Sequence, residues 1–168
     1  VGRVSEGRKL KIVGPDGETL PSGEIGDVYG LPPGGPGSTY HYLGAEPRRL
    51  ADGWETLGDM GYLDEDGFLY LVDRRTDLVI TGGYNVYPAE VEGYVNAMPG
   101  VAESAVIGVP HPDFGEAVVA VVVARPGATP ESAALIAALK AQIAHFKVPK
   151  RVFIVAELPR NAMGKVQK

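Results

Sequence analysis

The 168-residue chain carries 16 Lys and Arg against 21 Asp and Glu, a net charge of −5, with 45% hydrophobic and 22% charged residues. That is globular composition, and the chain is long enough for a core without staples. Cysteine is absent, which excludes disulfide frameworks, thiolate metal sites and cysteine nucleophiles. No run approaches the roughly 18 apolar residues that span a bilayer, and no signal-peptide pattern opens the chain, so no membrane span and a cytoplasmic location are expected.

Residues 1–72 read as short strands and turns. Lys9–Val13 alternates charged and apolar side chains, Pro15-Asp16-Gly17 is a turn signal, and Ile25–Tyr29 reads as a second strand. The loop Leu31–Gly44 is glycine-rich but lacks the Gly-Lys-Ser/Thr ending of a phosphate-binding P-loop. Asp64–Gly67 (DEDG) is a hairpin-type turn leading into the apolar run Phe68–Val72.

The pattern changes after Asp73. Asp77–Thr81 reads as a strand, and Pro88 suits the first turn of a helix, where its missing N–H costs nothing. Val91, Val95 and Met98 then recur at helical spacing. Val101–Val109 and Ala117–Ala124 are strand candidates joined by His111–Glu116. Pro130–Phe146 is predicted as a helix with Ile136, Leu139, Ile143 and Phe146 along one stripe, and Arg151–Val155 as a last strand. The expected fold is a small β-barrel-like subdomain (residues 1–74) followed by a compact α+β domain (75–168). The latter combines a three-stranded sheet with helices on one face and a two-stranded hairpin at its start.

Four features bear on chemistry. Gly82-Gly83, between a strand and a proline-started helix, is either an ordinary tight turn or a place where a ligand chain passes close to the backbone. Asn85 and Glu90 are placed to orient that turn. Lys165, after Gly164, is either a solvated lysine or a cation that reaches a phosphate and a carboxylate together. Asp59 and Arg74 bracket the second half of the β unit, and an ionised aspartate can accept two hydrogen bonds from a vicinal diol such as ribose. Residues 147–168 carry six basic side chains and one acidic, +5 in a chain of −5, so residues 1–146 carry −10. Such a basic tail suits a polyanion or an acidic surface. His41, His111 and His145 show no ligand spacing, so no metal site is assigned, and no Gly-x-Ser-x-Gly elbow is present.

Together these segments resemble the carboxy-terminal portion of the AMP-forming acyl-CoA synthetases (acid–CoA ligases) of the adenylate-forming superfamily, over essentially the whole chain. Gly53–Asp66 is similar to the family's Thr-Gly-Asp segment, with Leu57 in place of threonine. Asp73–Glu92 resembles its hinge and glycine-loop motif, with Asp73 where glycine is usual, and His145–Lys168 resembles its terminal lysine segment. The resemblance implies that residues 1–74 end a large N-terminal domain and 75–168 form a mobile C-terminal α+β domain. It implies a carboxylic acid attacking ATP to give an acyl-adenylate and pyrophosphate, then coenzyme A displacing AMP. Lys165 would be catalytic in the first step by stabilising charge at the transferring centre. Asp59 and Arg74 would bind the nucleotide. Arg75, Thr76 and Asp77 would form the hinge, with Thr76 where the family often has aspartate or lysine. Gly82, Gly83, Tyr84 and Asn85 would line the passage for coenzyme A, with Glu90 as support.

Val1 and Lys168 read as cuts in a longer protein. The resemblance places the phosphate loop, the acyl pocket and the Mg²⁺ ligand in a missing N-terminal adenylation domain, so the fragment alone is expected to be inactive. Ser38–Glu46 resembles members acting on bulky alicyclic or steroid-type acids, whereas the ending resembles malonyl-type synthetases. The remaining expected partners are a small carboxylic acid and a protein lysine acetyltransferase acting on Lys165, with no nucleic acid. The alternatives are a superfamily member with another acceptor, or a non-catalytic polyanion-binding or interaction module.

Overall fold

The computed structural model describes residues 2–35 and 48–168. His41 and the Ser38–Glu46 segment lie outside the described residues. The chain divides into two compact units, Val1–Thr76 and Asp77–Lys168.

In the first unit β1 (Gly2–Arg3), β2 (Lys9–Val13), β3 (Gly26–Leu31), β4 (Glu55–Leu63) and β5 (Phe68–Arg74) form one antiparallel sheet, ordered β1-β5-β4-β3-β2. The β4–β5 turn is built by Asp64. Its Oδ1 accepts the N–H groups of Asp66 (3.0 Å) and Phe68 (2.8 Å), and its carbonyl accepts that of Gly67 (3.1 Å). Gly67 supplies the positive φ, +77°, that such a turn needs. A hydrogen bond to Asp64 and its negative charge raise the Tyr70 pKa above the usual phenol value. Ile12, Val13, Tyr29 and Met60 are buried. Among the described residues no ladder joins β1 to β2, so the pairing is that of an open sheet and the barrel-like expectation is not confirmed.

The second unit places β9 (Gly115–Ala124) between β8 (Val101–His111), antiparallel to it, and β10 (Arg151–Val155), parallel to it. Strand neighbours on both sides, and the burial of the successive residues Ala117, Val118, Val119 and Ala120 on both faces, explain why β9 reads as nearly continuous valine and alanine. The hairpin of β6 (Val79–Thr81) and β7 (Tyr84–Val86) is not separate from this sheet, as expected, but joins it through Thr81 opposite Gly115. Val91 and Val95 of α1 (Pro88–Asn96) and Leu135 and Leu139 of α2 (Ser132–Lys140) share one core with Val106, Val118, Ala120, Val122 and Val152. The free edge of β8 is covered where Glu92 accepts the Val106 N–H at 2.7 Å.

The second helix is shorter than predicted. It stops at Lys140 because the chain tightens there: the N–H groups of Gln142 and Ile143 both reach the Leu139 carbonyl (2.9 and 3.0 Å). The Gln142 amide donates to the Ala138 carbonyl (3.2 Å), which also accepts the Ala141 N–H (3.3 Å), so this group at the helix end is doubly satisfied. Ile143 still packs on the core, and Phe146 reaches it from a separate 3₁₀ turn, His145–Lys147. No helix among the described residues is long and apolar enough to cross a membrane.

Leu139 is fully buried, so Leu139→Ala is expected to cost about 3 kcal/mol in urea unfolding. Ile80→Ala, at a side chain 51% exposed, should stay within about 0.5 kcal/mol. At Gly61 an added Cβ would stand 2.4 Å from the Tyr70 carbonyl oxygen, part of the β4–β5 ladder. Gly61→Ala should therefore lower the melting temperature by a destabilisation of about 1–3 kcal/mol, measured calorimetrically.

Candidate functional site

Asp59 and Arg74 are brought together: they face each other across β4 and β5, next to a register shift between Met60 and Gly61. Asp59 is half-buried and borders a cavity of about 310 Å³ lined by Leu10, Val28, Leu69 and Leu71. Arg75 is held to the same sheet, its N–H donating to the Gly58 carbonyl (2.8 Å) and its Nη1 standing 3.6 Å from Oδ1 of Asp27.

Gly82 and Gly83 form the two-residue turn between β6 and β7, with φ of +57° and +82°. Positive φ at both positions is what a tight, strand-compatible hairpin turn demands. A Cβ on Gly83 would meet nothing within 4 Å, so the space beside the turn is open. The Gly82 N–H donates to the Phe114 carbonyl (2.8 Å), which seats the turn at the β8–β9 end of the sheet. Asn85 pairs with Ile80 in the hairpin and is exposed. Glu90 does not bond the turn itself. Both its oxygens take the Lys147 ammonium, at 2.6 and 2.8 Å. The neighbouring Phe146 stacks on Tyr84, 4.5 Å between centroids, so the support reaches the hairpin through that aromatic pair.

Around the turn lie residues that sequence reasoning missed. Phe114 stacks on His111 (4.6 Å between centroids), and the Lys150 ammonium sits 5.2 Å from the Phe114 ring. Phe114 and Tyr84 are both exposed. Two accessible aromatics and a cation beside a side-chain-free turn can hold a flat heterocycle and an anionic group.

Lys165 sits in a small hairpin closed by Arg160 opposite Val166. Asn161 organises it: Oδ1 accepts the N–H groups of Met163 and Lys165, both at 3.0 Å, and the backbone N–H donates to the Lys165 carbonyl (2.9 Å). Gly164 takes φ +78°. Arg160 pins the hairpin to β8 by an ion pair with Glu103 and donates to the Gly164 carbonyl (2.8 Å). The Asn-x-x-Gly spacing is the signal that identifies this side-chain-capped turn in the sequence. Lys168 completes the tail, 2.7 Å from Glu92 and 3.9 Å from Asp77.

The glycine turn and the lysine hairpin are thus anchored at opposite ends of β8. The turn abuts the end where His111 faces Gly115, while the hairpin is pinned at Glu103. At a strand rise of about 3.3 Å per residue these anchors are roughly 26 Å apart.

Residues 90–165 match the AMP-binding enzyme C-terminal domain family. An indoleacetate–CoA ligase from Aromatoleum aromaticum is 40% identical over 167 residues, 99% of this chain and 33% of that protein. A fatty acid–acyl-carrier-protein ligase, ScoC, from Streptomyces coeruleorubidus is 39% identical over 165 residues, 98% of this chain and 32% of that protein. Among solved structures, ATP-bound MatB from Rhodopseudomonas palustris matches with a TM-score of 0.89 and 45% identity, covering 99% of this chain and 34% of that one. The chain spans about a third of the length of the relatives it matches. The chain belongs to the AMP-forming acyl-CoA ligases of the adenylate-forming superfamily, and corresponds to their carboxy-terminal portion.

Proposed function

We propose that this chain supplies the moving part of an ATP-dependent carboxylic acid–CoA ligase. Residues 1–74 end the large N-terminal domain, and 75–168 swing on Arg75, Thr76 and Asp77 between two half-reactions. In the first, Lys165 is brought to the acid and ATP, where its ammonium stabilises the charge that builds as the carboxylate attacks the α-phosphorus and pyrophosphate leaves. Asp59 and Arg74 hold the nucleotide in the first unit. In the second, the Gly82–Gly83 turn replaces Lys165 and leaves room for the arm of coenzyme A, whose thiol displaces AMP. The exposed Phe114 and Tyr84, with Lys150, suit the adenine and phosphates at the other end of that ligand. The observation that carries this reading is the roughly 26 Å between the two anchors, which makes rotation the economical way to use both loops.

The protein ligand for Mg²⁺ is assigned to the rest of the protein, as the family resemblance implies, and the fragment alone is proposed to be inactive. The acid is set elsewhere too, since relatives named for indoleacetate and for a fatty acid match this stretch almost equally well. The second of those is named for an acyl-carrier-protein acceptor, which favours a phosphopantetheine arm on a carrier protein as the second reading. The comparisons lend no support to an acetyltransferase acting on Lys165, and none is proposed.

In the full-length protein, Lys165→Ala should slow pyrophosphate exchange about 10²–10³-fold and leave thioester formation from supplied acyl-adenylate within about threefold. Gly83→Leu should do the reverse. Gly83→Ala, which carries the same backbone strain with little bulk, separates obstruction from misfolding of the turn. Equal losses in both half-reactions for both residues would sink the alternating scheme. Asn161→Ala removes the acceptor that shapes the lysine hairpin, so it should cost about tenfold in exchange and spare the thioester step, checked in the same two assays.

A further inference from the structure

We infer that Asp27 is a positioning residue for the hinge, a buried carboxylate that holds Arg75 and so fixes where the chain leaves the first unit. The inference rests on the reading of Arg75–Asp77 as the hinge. Asp27 lies on β3, paired with Val13 on one side and Met60 on the other, so it is set in the middle of the sheet. It is only 4% exposed, and Oδ1 has no hydrogen-bond partner. A carboxylate taken out of water in this way needs compensating charge. The charge comes from two guanidinium groups, Arg75 Nη1 at 3.6 Å from Oδ1 and Arg48 Nη2 at 3.9 Å from Oδ2. Their side chains are 37% and 62% exposed, so both neutralise Asp27 while staying in water.

These are charge contacts longer than hydrogen bonds, which makes them tolerant of small shifts in the arginine side chain. The second hold on Arg75 is directional: its N–H donates to Gly58 at 2.8 Å, where β4 turns through a positive-φ glycine. On the far side of the hinge, Asp77 is approached by Lys168, which also binds Glu92 on α1. Each flank of Thr76 is therefore tied into its own unit. With both flanks held, a change in orientation falls on the backbone angles of very few residues, as a hinge requires. Asp27 touches no reacting atom. Its contribution to turnover comes through Arg75.

The test uses the full-length enzyme with Asp27→Asn, Arg75→Gln and the double variant. Hydrogen exchange at residues 73–78 should rise about tenfold in each single variant, with β3 and β4 unchanged. The double variant should exchange no faster than either single, because both remove one contact. Overall turnover should fall several-fold while each half-reaction, measured separately, stays within about twofold of the parent. If Asp27→Asn fails to fold, Arg75→Gln, at a partly exposed side chain, carries the same comparison. Unchanged exchange at 73–78, or additive effects in the double variant, overturns the proposal. So does faster exchange with no change in overall turnover, which would leave Asp27 a structural residue. Failure of the alternating scheme appears instead in the Lys165 and Gly83 half-reactions, independently of exchange at Arg75.

Discussion

The pairing of β8 with β9 is the constraint on which the second unit depends. Its ten-residue register fixes the ends at which two loops can be attached, and it gives each loop a different anchor. The core behind it is made mostly of valine and alanine, small side chains that bring the helices close to the sheet. β9 is paired on both sides and holds β8 along its length, so the distance between the two anchors is a property of the scaffold rather than of the loops. The two loops are also stiff in themselves. One is set by consecutive positive-φ glycines, the other by an asparagine that accepts two backbone N–H groups. In the proposed scheme flexibility is concentrated at the hinge, and the parts it delivers arrive already shaped.

Local chemistry was legible in the sequence. The Asp64 turn, the proline-started helix, the buried strand β9 and the double glycine are each encoded within a few neighbouring residues, and they form as expected. The end of the second helix was not legible. Ile143 and Phe146 keep the helical stripe because both pack on the core, but the hydrogen bonds leave the helical pattern at Ala141 and Gln142. Periodicity records burial, and burial outlasts the helix. The open path of the first sheet was not legible either: β1 lies next to β2 in the chain but pairs with β5, from the far end of the unit.

The candidate site divides along the same line. Asp59 and Arg74 are cross-strand neighbours, as their bracketing of one hairpin implies. Tyr84 was named from the sequence, but the rest of the aromatic and basic rim at the glycine turn was missed because His111, Phe114, Phe146 and Lys150 come from separate elements and meet only through tertiary packing. Glu90 with Lys147 and Arg160 with Glu103 each bridge 57 positions. Asp27 reads as an ordinary strand residue until its burial and its two arginines are seen. Motif resemblance named the candidate reacting groups, and only geometry identified what holds them in place.

The tail's apparent excess of positive charge takes on another meaning once its partners are known. Lys147, Arg160 and Lys168 face Glu90, Glu103 and Glu92 respectively, so half of its six cations are neutralised within a few ångströms. What reaches solvent beyond a Debye length is therefore weaker than the composition implies. Small, highly charged ligands sense individual ammonium groups at short range. In the proposed scheme this favours mononucleotide-sized anions, with an ionic-strength dependence shallower than that of a nucleic-acid-binding surface.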